Sequence, residues 1–243
     1  SVSVLGEDPA RAGGAWRERI GVVLQSSSLY ESLSVTEHLT LFAGYYEKPR
    51  QVGEVVGLVG LEEKRDSQVR TLSGGQRRRL DLGLALIGDP ELVFLDEPTT
   101  GFDPEARRRC WQAIENLRSL GKTIQLTTHY LDEAERLADR VAVITAGRVH
   151  SVGTPRALAR RAKVPTRIGF AAPDDGIAAH GRLLKRLAAE VERGRVEVQT
   201  ADPGVTLQAL LAAFGELRDL AVKPPTFEDA YLHLLRDDFA GAR

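Results

Sequence analysis

Two short segments twenty residues apart carry the sharpest chemistry in this chain of 243 residues. Leu92-Val-Phe-Leu95 is fully apolar and ends in Asp96-Glu97-Pro98. An apolar strand closing on two adjacent carboxylates suits magnesium–nucleotide chemistry, in which one carboxylate holds the metal and the other takes a proton from an attacking water. Successive side chains on a strand point opposite ways, so Asp96 and Glu97 are expected to face different partners. The earlier segment, Leu72-Ser-Gly-Gly-Gln76, opens a helix on a Ser-Gly-Gly turn. Such a turn offers backbone N–H groups, a hydroxyl and the positive end of the helix dipole to an anion. Taken singly, each segment also has a plainer meaning, a solvated acidic turn or a helix cap with permissive glycines.

The elements that must position these residues follow from periodicity. Ile20–Leu24 is a short apolar run bounded by charge and by Gln25-Ser-Ser-Ser28, which predicts a buried strand. Ser34-Val-Thr-Glu37 has the form of a capping box, and Leu39, Leu41, Phe42 and Tyr45 continue on helical spacing. Further helices are expected over about 51–60, from Arg77 to Ile87, and over Pro104–Leu120, the last with Pro in its first turn and Gly121 beyond its end. Thr123–Thr128 and Val141–Thr145 read as strands, with a short helix over Leu131–Ala138 between them. Arg148–Val152 closes a hairpin after Ala146-Gly147. Strands alternating with helices predict βαβ units and a mainly parallel sheet. Residues 2–5 are expected to be a strand end. Pro155–Ala162 is a basic helix, and residues 166–243 predict strand, helix, strand, helix, strand, helix, a small second domain.

Composition narrows the function. The chain has 33 basic and 34 acidic residues, and this near-neutral balance argues against a general nucleic-acid binder. A lone cysteine, Cys110, excludes a disulfide framework or a cysteine-based zinc site and fits a reducing compartment. The longest stretch without Asp, Glu, Lys or Arg, Pro203–Gly215, has 13 residues, too few to span a bilayer. A soluble, cytosolic chain is expected. It contains no Met and opens abruptly on Ser-Val-Ser-Val-Leu, which suggests a missing N-terminal piece.

Further motifs then fall into place, and the sequence resembles the nucleotide-binding subunit of ATP-binding cassette (ABC) transporters over roughly residues 1–153. Leu72–Gln76 matches the family's signature motif letter for letter, and Leu92–Glu97 matches the Walker B strand with its catalytic Glu. Gly101-Phe102-Asp103 matches the D-loop, with Phe where Leu is usual. His129 matches the switch histidine and Gln25 the Q-loop. Thr99–Pro104, Leu131-Asp-Glu-Ala134 and Pro225-Thr-Phe-Glu-Asp-Ala230 look like the drug-resistance and ABC-2 exporter branch.

The resemblance implies an α/β fold: a P-loop NTPase core of the ABC ATPase type missing its N-terminal strands and Walker A segment, with a helical signature subdomain (about 30–90). An α+β accessory domain, 154–243, would follow. It implies roles too. Glu97 would be the general base or the group that orients the hydrolytic water, Asp96 would bind Mg²⁺ through water, and Gln25 would sense Mg²⁺ and the attacking water. His129 would contact the γ-phosphate. Ser73, Gly74 and Gly75, within the motif closed by Gln76, would bind the γ-phosphate of ATP held by the opposite subunit. Asp103 would sit at the dimer seam. The implied partners are transmembrane subunits and a second cassette, with the chain peripheral on the inner face of the cell membrane.

One part of the family pattern is missing. Residues 1–24 contain no G-x-x-x-x-G-K-[ST]. Gly121-Lys122-Thr123 is a decoy, because Asn116 stands where the first Gly is needed and the junction presents the negative end of a helix. ATP and Mg²⁺ binding are therefore expected to be impaired, and the uncovered sheet edge is expected to favour self-association. Three readings stay open: the ATPase subunit of an exporter, a non-catalytic piece of one, or a soluble cassette ATPase of translation or repair. Arg77–Arg79 and Arg107–Arg109 read as solvated helix faces or contacts to an acidic neighbour, Trp16 and Trp111 as packing residues. The basic face over 177–193 reads as a helix packed on its own small sheet.

Overall fold

The computed structural model describes residues 1–25, 28–161 and 164–232. The chain divides into two compact units, Ser1–Glu133 and Ala134–Arg243.

The first unit opens with a turn instead of the expected strand. Val4 and Glu7 form an isolated bridge around Leu5 and Gly6, whose φ values of 50° and 84° reverse the chain. A short helix α1 (Gly14–Glu18) leads into β1 (Ile20–Val23). Three helices follow: α2 (Val35–Ala43), α3 (Val52–Leu58) and α4 (Gly74–Leu86). The capping box starts α2 as its sequence predicts, with Ser34 Oγ accepting from the Glu37 N–H at 3.2 Å and Glu37 Oε2 accepting from the Ser34 N–H at 2.8 Å. Val35, Leu39, Val55, Val59 and Leu80 are buried where these helices meet. Gly83 lets α4 approach closely, since a Cβ there would lie 3.3 Å from Leu39 and 3.4 Å from Val55.

The site is organised by β1, β2 (Leu92–Asp96) and β3 (Thr123–Thr127), with α5 (Pro104–Ser119) between the last two. Among the described residues these strands form a parallel sheet in the order β1-β2-β3. The register aligns Val23 with Leu95 and Asp96 with Thr127, so the carboxyl ends lie side by side. That is the end where open α/β sheets place their ligand chemistry. Gly21 presses β1 onto α4, for a Cβ at that position would sit 2.3 Å from the Ala85 carbonyl oxygen. Gly121-Lys122-Thr123 lies at the other end of the strands, where Lys122 Nζ is 2.7 Å from Asp89 Oδ1. The decoy thus performs a structural task away from the carboxylates.

Helix α6 (Leu131–Leu137) links to the second unit. There β4 (Val141–Thr145) and β5 (Arg148–Gly153) form the expected hairpin, followed by α7 (Pro155–Arg161). Residue 162, which ended the expected basic helix, lies outside the described residues. Beyond it come β6 (Thr166–Ala171), α8 (Asp174–Ala179), α9 (Gly181–Arg186), β7 (Glu190–Glu192), β8 (Arg195–Thr200), α10 (Pro203–Phe214) and β9 (Arg218–Lys223). The strand order is β7-β8-β6-β9, antiparallel throughout, which is a split βαβ arrangement of the ferredoxin-like kind.

The β7–β8 hairpin escaped the sequence reading. β7 is only three residues long and fully exposed, so it has no apolar run. Its marker is the two-residue turn Arg193-Gly194, with φ values of 49° and 75°, the geometry that tight hairpins favour. Ile168, Phe170, Val196, Val198 and Leu210 fill the core under the sheet, and Leu184 carries α9 onto it. The basic segment over 177–193 therefore breaks into α8, α9 and β7, with the apolar side of α9 turned inward. Residues 227–232 begin a helix capped by Thr226 and Asp229, and the rest of the expected terminal helix lies outside the described residues.

Candidate active site

The two carboxylates diverge because the chain turns between them. Asp96 ends β2, exposed, and accepts a hydrogen bond from Thr127 Oγ1 on β3. Glu97 leaves the strand with φ 46°, in the left-handed region, and is followed by Pro98, which itself disfavours helical backbone at the residue before it. A non-glycine residue in that region costs about 1–2 kcal/mol. Neighbours hold it there: the Glu97 N–H donates to the Thr127 carbonyl at 3.0 Å, and the Glu97 carbonyl accepts from Arg78 at 3.4 Å. Strain of this sort persists where surrounding contacts over-determine it.

The side chain of Glu97 is thereby aimed at Thr100 and His129. Its Oε2 accepts from Thr100 Oγ1 at 2.7 Å and lies 2.6 Å from His129 Nδ1. A hydrogen on Nδ1 serves that contact, which leaves the lone pair of a neutral ring on Nε2. The ring stacks on Tyr130 with centroids 4.1 Å apart and keeps 55% of its side-chain surface exposed, against 26% for Glu97.

The signature turn caps α4. Ser73 Oγ accepts from the Gln76 N–H at 3.3 Å, and Gln76 Oε1 accepts from the Ser73 N–H at 2.9 Å. Gly74 and Gly75 occupy the first turn, whose N–H groups have no intrahelical acceptors. Gly75 has a packing reason as well, since a Cβ there would meet Ala106 of α5 at 3.1 Å. Asp103 caps α5, its Oδ1 accepting from the N–H groups of Glu105 and Ala106, both at 2.9 Å.

A cleft of about 480 Å³ gathers most of these groups, lined among others by Gln25, Ser73, Gly74, Gly75, Glu97 and Asp103. Asp96, Gln76 and His129 stand outside its lining and are tied to Thr127, Ser73 and Glu97 respectively.

Three features were missed or misread in the sequence. Arg78 and Arg79 are each only 8% exposed, so the expected solvated face is a buried one. Arg78 donates to the carbonyls of Leu24, Asp96, Glu97 and Pro98. Burial pushes its guanidinium below its usual value, with Asp81 and Asp96 favouring the charge. The signal was present: Arg78 sits at helical spacing with Gly75, Leu82 and Leu86, on the packed side of α4. Arg107 has the acidic neighbour allowed for it, Asp132 Oδ2 at 3.5 Å, and unexpected aromatic partners as well, its guanidinium lying 5.4 Å from the ring centroids of both Trp111 and Tyr130. The third is Glu133, which is 0% exposed; its Oε1 accepts from Thr99 Oγ1 at 2.9 Å and from Trp111 Nε1 at 2.8 Å.

Known proteins resemble this chain. The sequence pattern of the ABC transporter family matches residues 1–100. The Nod factor export ATP-binding protein I of Sinorhizobium fredii (strain NBRC 101917 / NGR234) is 41% identical over 249 residues, covering 96% of this chain and 69% of that protein. Its namesake in Rhizobium sp. (strain N33) is 38% identical over 243 residues, covering 96% and 78%. Among solved structures, an ATP binding subunit of an ABC transporter superposes with a TM-score of 0.56 at 28% identity, covering 65% of this chain and 68% of that one. At 41% identity over 96% of its length, this chain belongs to the ABC transporter family as an ATP-binding subunit.

Proposed function

We propose that the chain is the ATP-hydrolysing subunit of an exporter, in which Glu97 takes a proton from the attacking water or orients that water. The observation that carries this reading is the placement of the Glu97 carboxylate. It is held in a left-handed turn at the carboxyl end of β2, paired with His129, and faces the cleft shared with Gln25 and the Ser73–Gly75 turn. Phosphoryl transfer asks for positioning and charge neutralisation more than for covalent help from the protein, and such an arrangement supplies both.

The donor set suits Mg²⁺, because Asp96 ends β2, Gln25 lies just past the end of neighbouring β1, and they offer carboxylate and amide oxygens, the hard donors this ion prefers. When bound, Mg²⁺ neutralises charge on the transferred phosphoryl group. On this reading Asp96 holds the ion through water, and Gln25 reads its presence for the membrane-spanning subunits. His129 approaches the γ-phosphate. While Nδ1 is committed to Glu97, Nε2 can donate to a phosphate oxygen only if the ring carries both protons. Ser73, Gly74 and Gly75 serve the nucleotide of a second cassette, with Gln76 fixing their turn and Asp103 joining the seam while it caps α5. Residues 1–153 form the ATPase domain, with 154–243 as an accessory domain.

The exporter direction is supported by relatives named for Nod factor export, which match 96% of the chain. Among the described residues no helix is long and apolar enough to cross a membrane. A peripheral place on the inner membrane face, beside membrane-spanning partners, suits both facts. The deciding experiment is Glu97→Gln in the intact transporter, with ATP binding and turnover measured together. Turnover is expected to fall by at least about 10²-fold with ATP binding retained. Unchanged turnover removes Glu97 from the mechanism.

A further inference from the structure

Arg78 lies five residues into the signature motif's own helix, yet its side chain reaches the two segments that carry the proposed catalytic groups. Nη2 donates to the Asp96 carbonyl at 2.6 Å and to the Glu97 carbonyl at 3.4 Å, and Nε donates to the Pro98 carbonyl at 3.2 Å. Nη1 donates to the carbonyl of Leu24, the residue before Gln25. A planar fork of five donors can serve several carbonyls at once, which a lysine ammonium on its single point cannot reproduce. Glu97 has the strained backbone that most needs such holding, and its peptide is gripped from both sides, by Thr127 at the N–H and by Arg78 at the carbonyl.

The adjacent Arg79 provides an internal contrast. It is as buried as Arg78, but its Nη1 donates to the carbonyls of Val59 and Gly60, beyond the end of α3 and away from the carboxylates. One arginine braces the helical subdomain; the other spans the Q-loop strand and the Walker B turn.

We propose that Arg78 is a positioning residue for ATP hydrolysis: through backbone carbonyls it holds Gln25 and Glu97 in register with the signature helix. The inference rests on the proposed role of Glu97 and adds to it the residue that keeps the carboxylate aimed.

The test compares Arg78→Lys, Arg79→Lys and Glu97→Gln by two readouts. In the nucleotide-free chain, hydrogen exchange is followed in peptides containing Leu24-Gln25, Asp96–Thr100 and Val59-Gly60. Arg78→Lys is expected to raise exchange in the first two, and Arg79→Lys only in the third. In the intact transporter, Arg78→Lys is expected to lower kcat for ATP at least tenfold with KM within twofold, while Arg79→Lys stays within twofold in both. Where Arg78→Lys does not fold, Arg78→Gln is judged by the same criteria. Wild-type turnover in the Arg78 variant, unchanged exchange at both of its segments, or equal losses of kcat in the two arginine variants overturns the proposal. Full turnover in Glu97→Gln overturns instead the reading on which it stands.

Discussion

Replacing Glu133 tests whether a buried carboxylate ties the turn before α5 to the segment after His129. Glu133 Oε1 is the acceptor for both the Thr99 hydroxyl and the Trp111 indole N–H, and among the described residues its Oε2 is buried with no partner. In Glu133→Leu both donors lose their acceptor inside the protein. Each orphaned donor costs about 1–3 kcal/mol, so the two together cost about 2–6 kcal/mol. Relief from burying a charge offsets part of that, and about 3 kcal/mol is expected. Glu133→Gln keeps an acceptor oxygen in place. It weakens two charge-assisted bonds while removing a desolvated charge, so its effect should stay within about 1.5 kcal/mol. The decisive variant is the triple Glu133→Leu, Thr99→Val, Trp111→Phe, which removes the orphaned donors too and should recover at least half of the single variant's loss. Urea unfolding followed by tryptophan fluorescence measures all three, and Trp16 remains as reporter in the triple. Cys110 adds a check, since burial first and the Glu133 charge second push its thiol up to about 12, so it should label slowly in the folded protein and readily on unfolding. A Glu133→Leu protein as stable as the parent, or a triple variant no better than the single, would refute the orphaned-donor argument.

Two further outcomes follow from local geometry. Gly21→Ala should destabilise by about 1–3 kcal/mol, because its Cβ would lie 2.3 Å from a backbone oxygen of α4 that cannot swing away; wild-type stability in urea would show that β1 can shift. Asp229 is held below its ordinary value of 3.8, first by the Thr226 N–H and further by Arg167, with burial opposing. A lowered folded-state value stabilises above the ordinary aspartate value, and that contribution is lost as pH falls through the folded value. Asp229→Asn should therefore flatten the acid limb of the melting temperature against pH, and an unaltered acid limb would show that the Thr226–Asp229 cap contributes nothing.

The caps Ser34 and Ser73 show what was legible locally. Each was readable because a helix start depends on a few consecutive residues, and each serves its helix as the pattern requires. The Arg triplets show the opposite. Residue type argued for solvent or an acidic neighbour, which Arg77 finds in Glu31, but α4 packs on several sides and turns the other two arginines inward. The three-residue β7 shows a third case, a strand with no hydrophobic alternation that exists because β8 offers it a ladder.

By itself, then, the sequence determined the chemistry on offer: adjacent carboxylates after an apolar strand, a glycine turn opening a helix, and Gln25 and His129 after strands of their own. Periodicity and capping are short-range, so the elements carrying those groups were determined with them. Only the tertiary structure decided the partners. It turned Glu97 away from Asp96 through a left-handed residue and set its carboxylate on His129. It also ran one guanidinium to four carbonyls and arranged the second unit as a split βαβ sheet. Which strand pairs with which, and which polar group is buried beside which, depends on residues distant in sequence competing for the same space and hydrogen bonds, a competition settled by the packing of the whole unit.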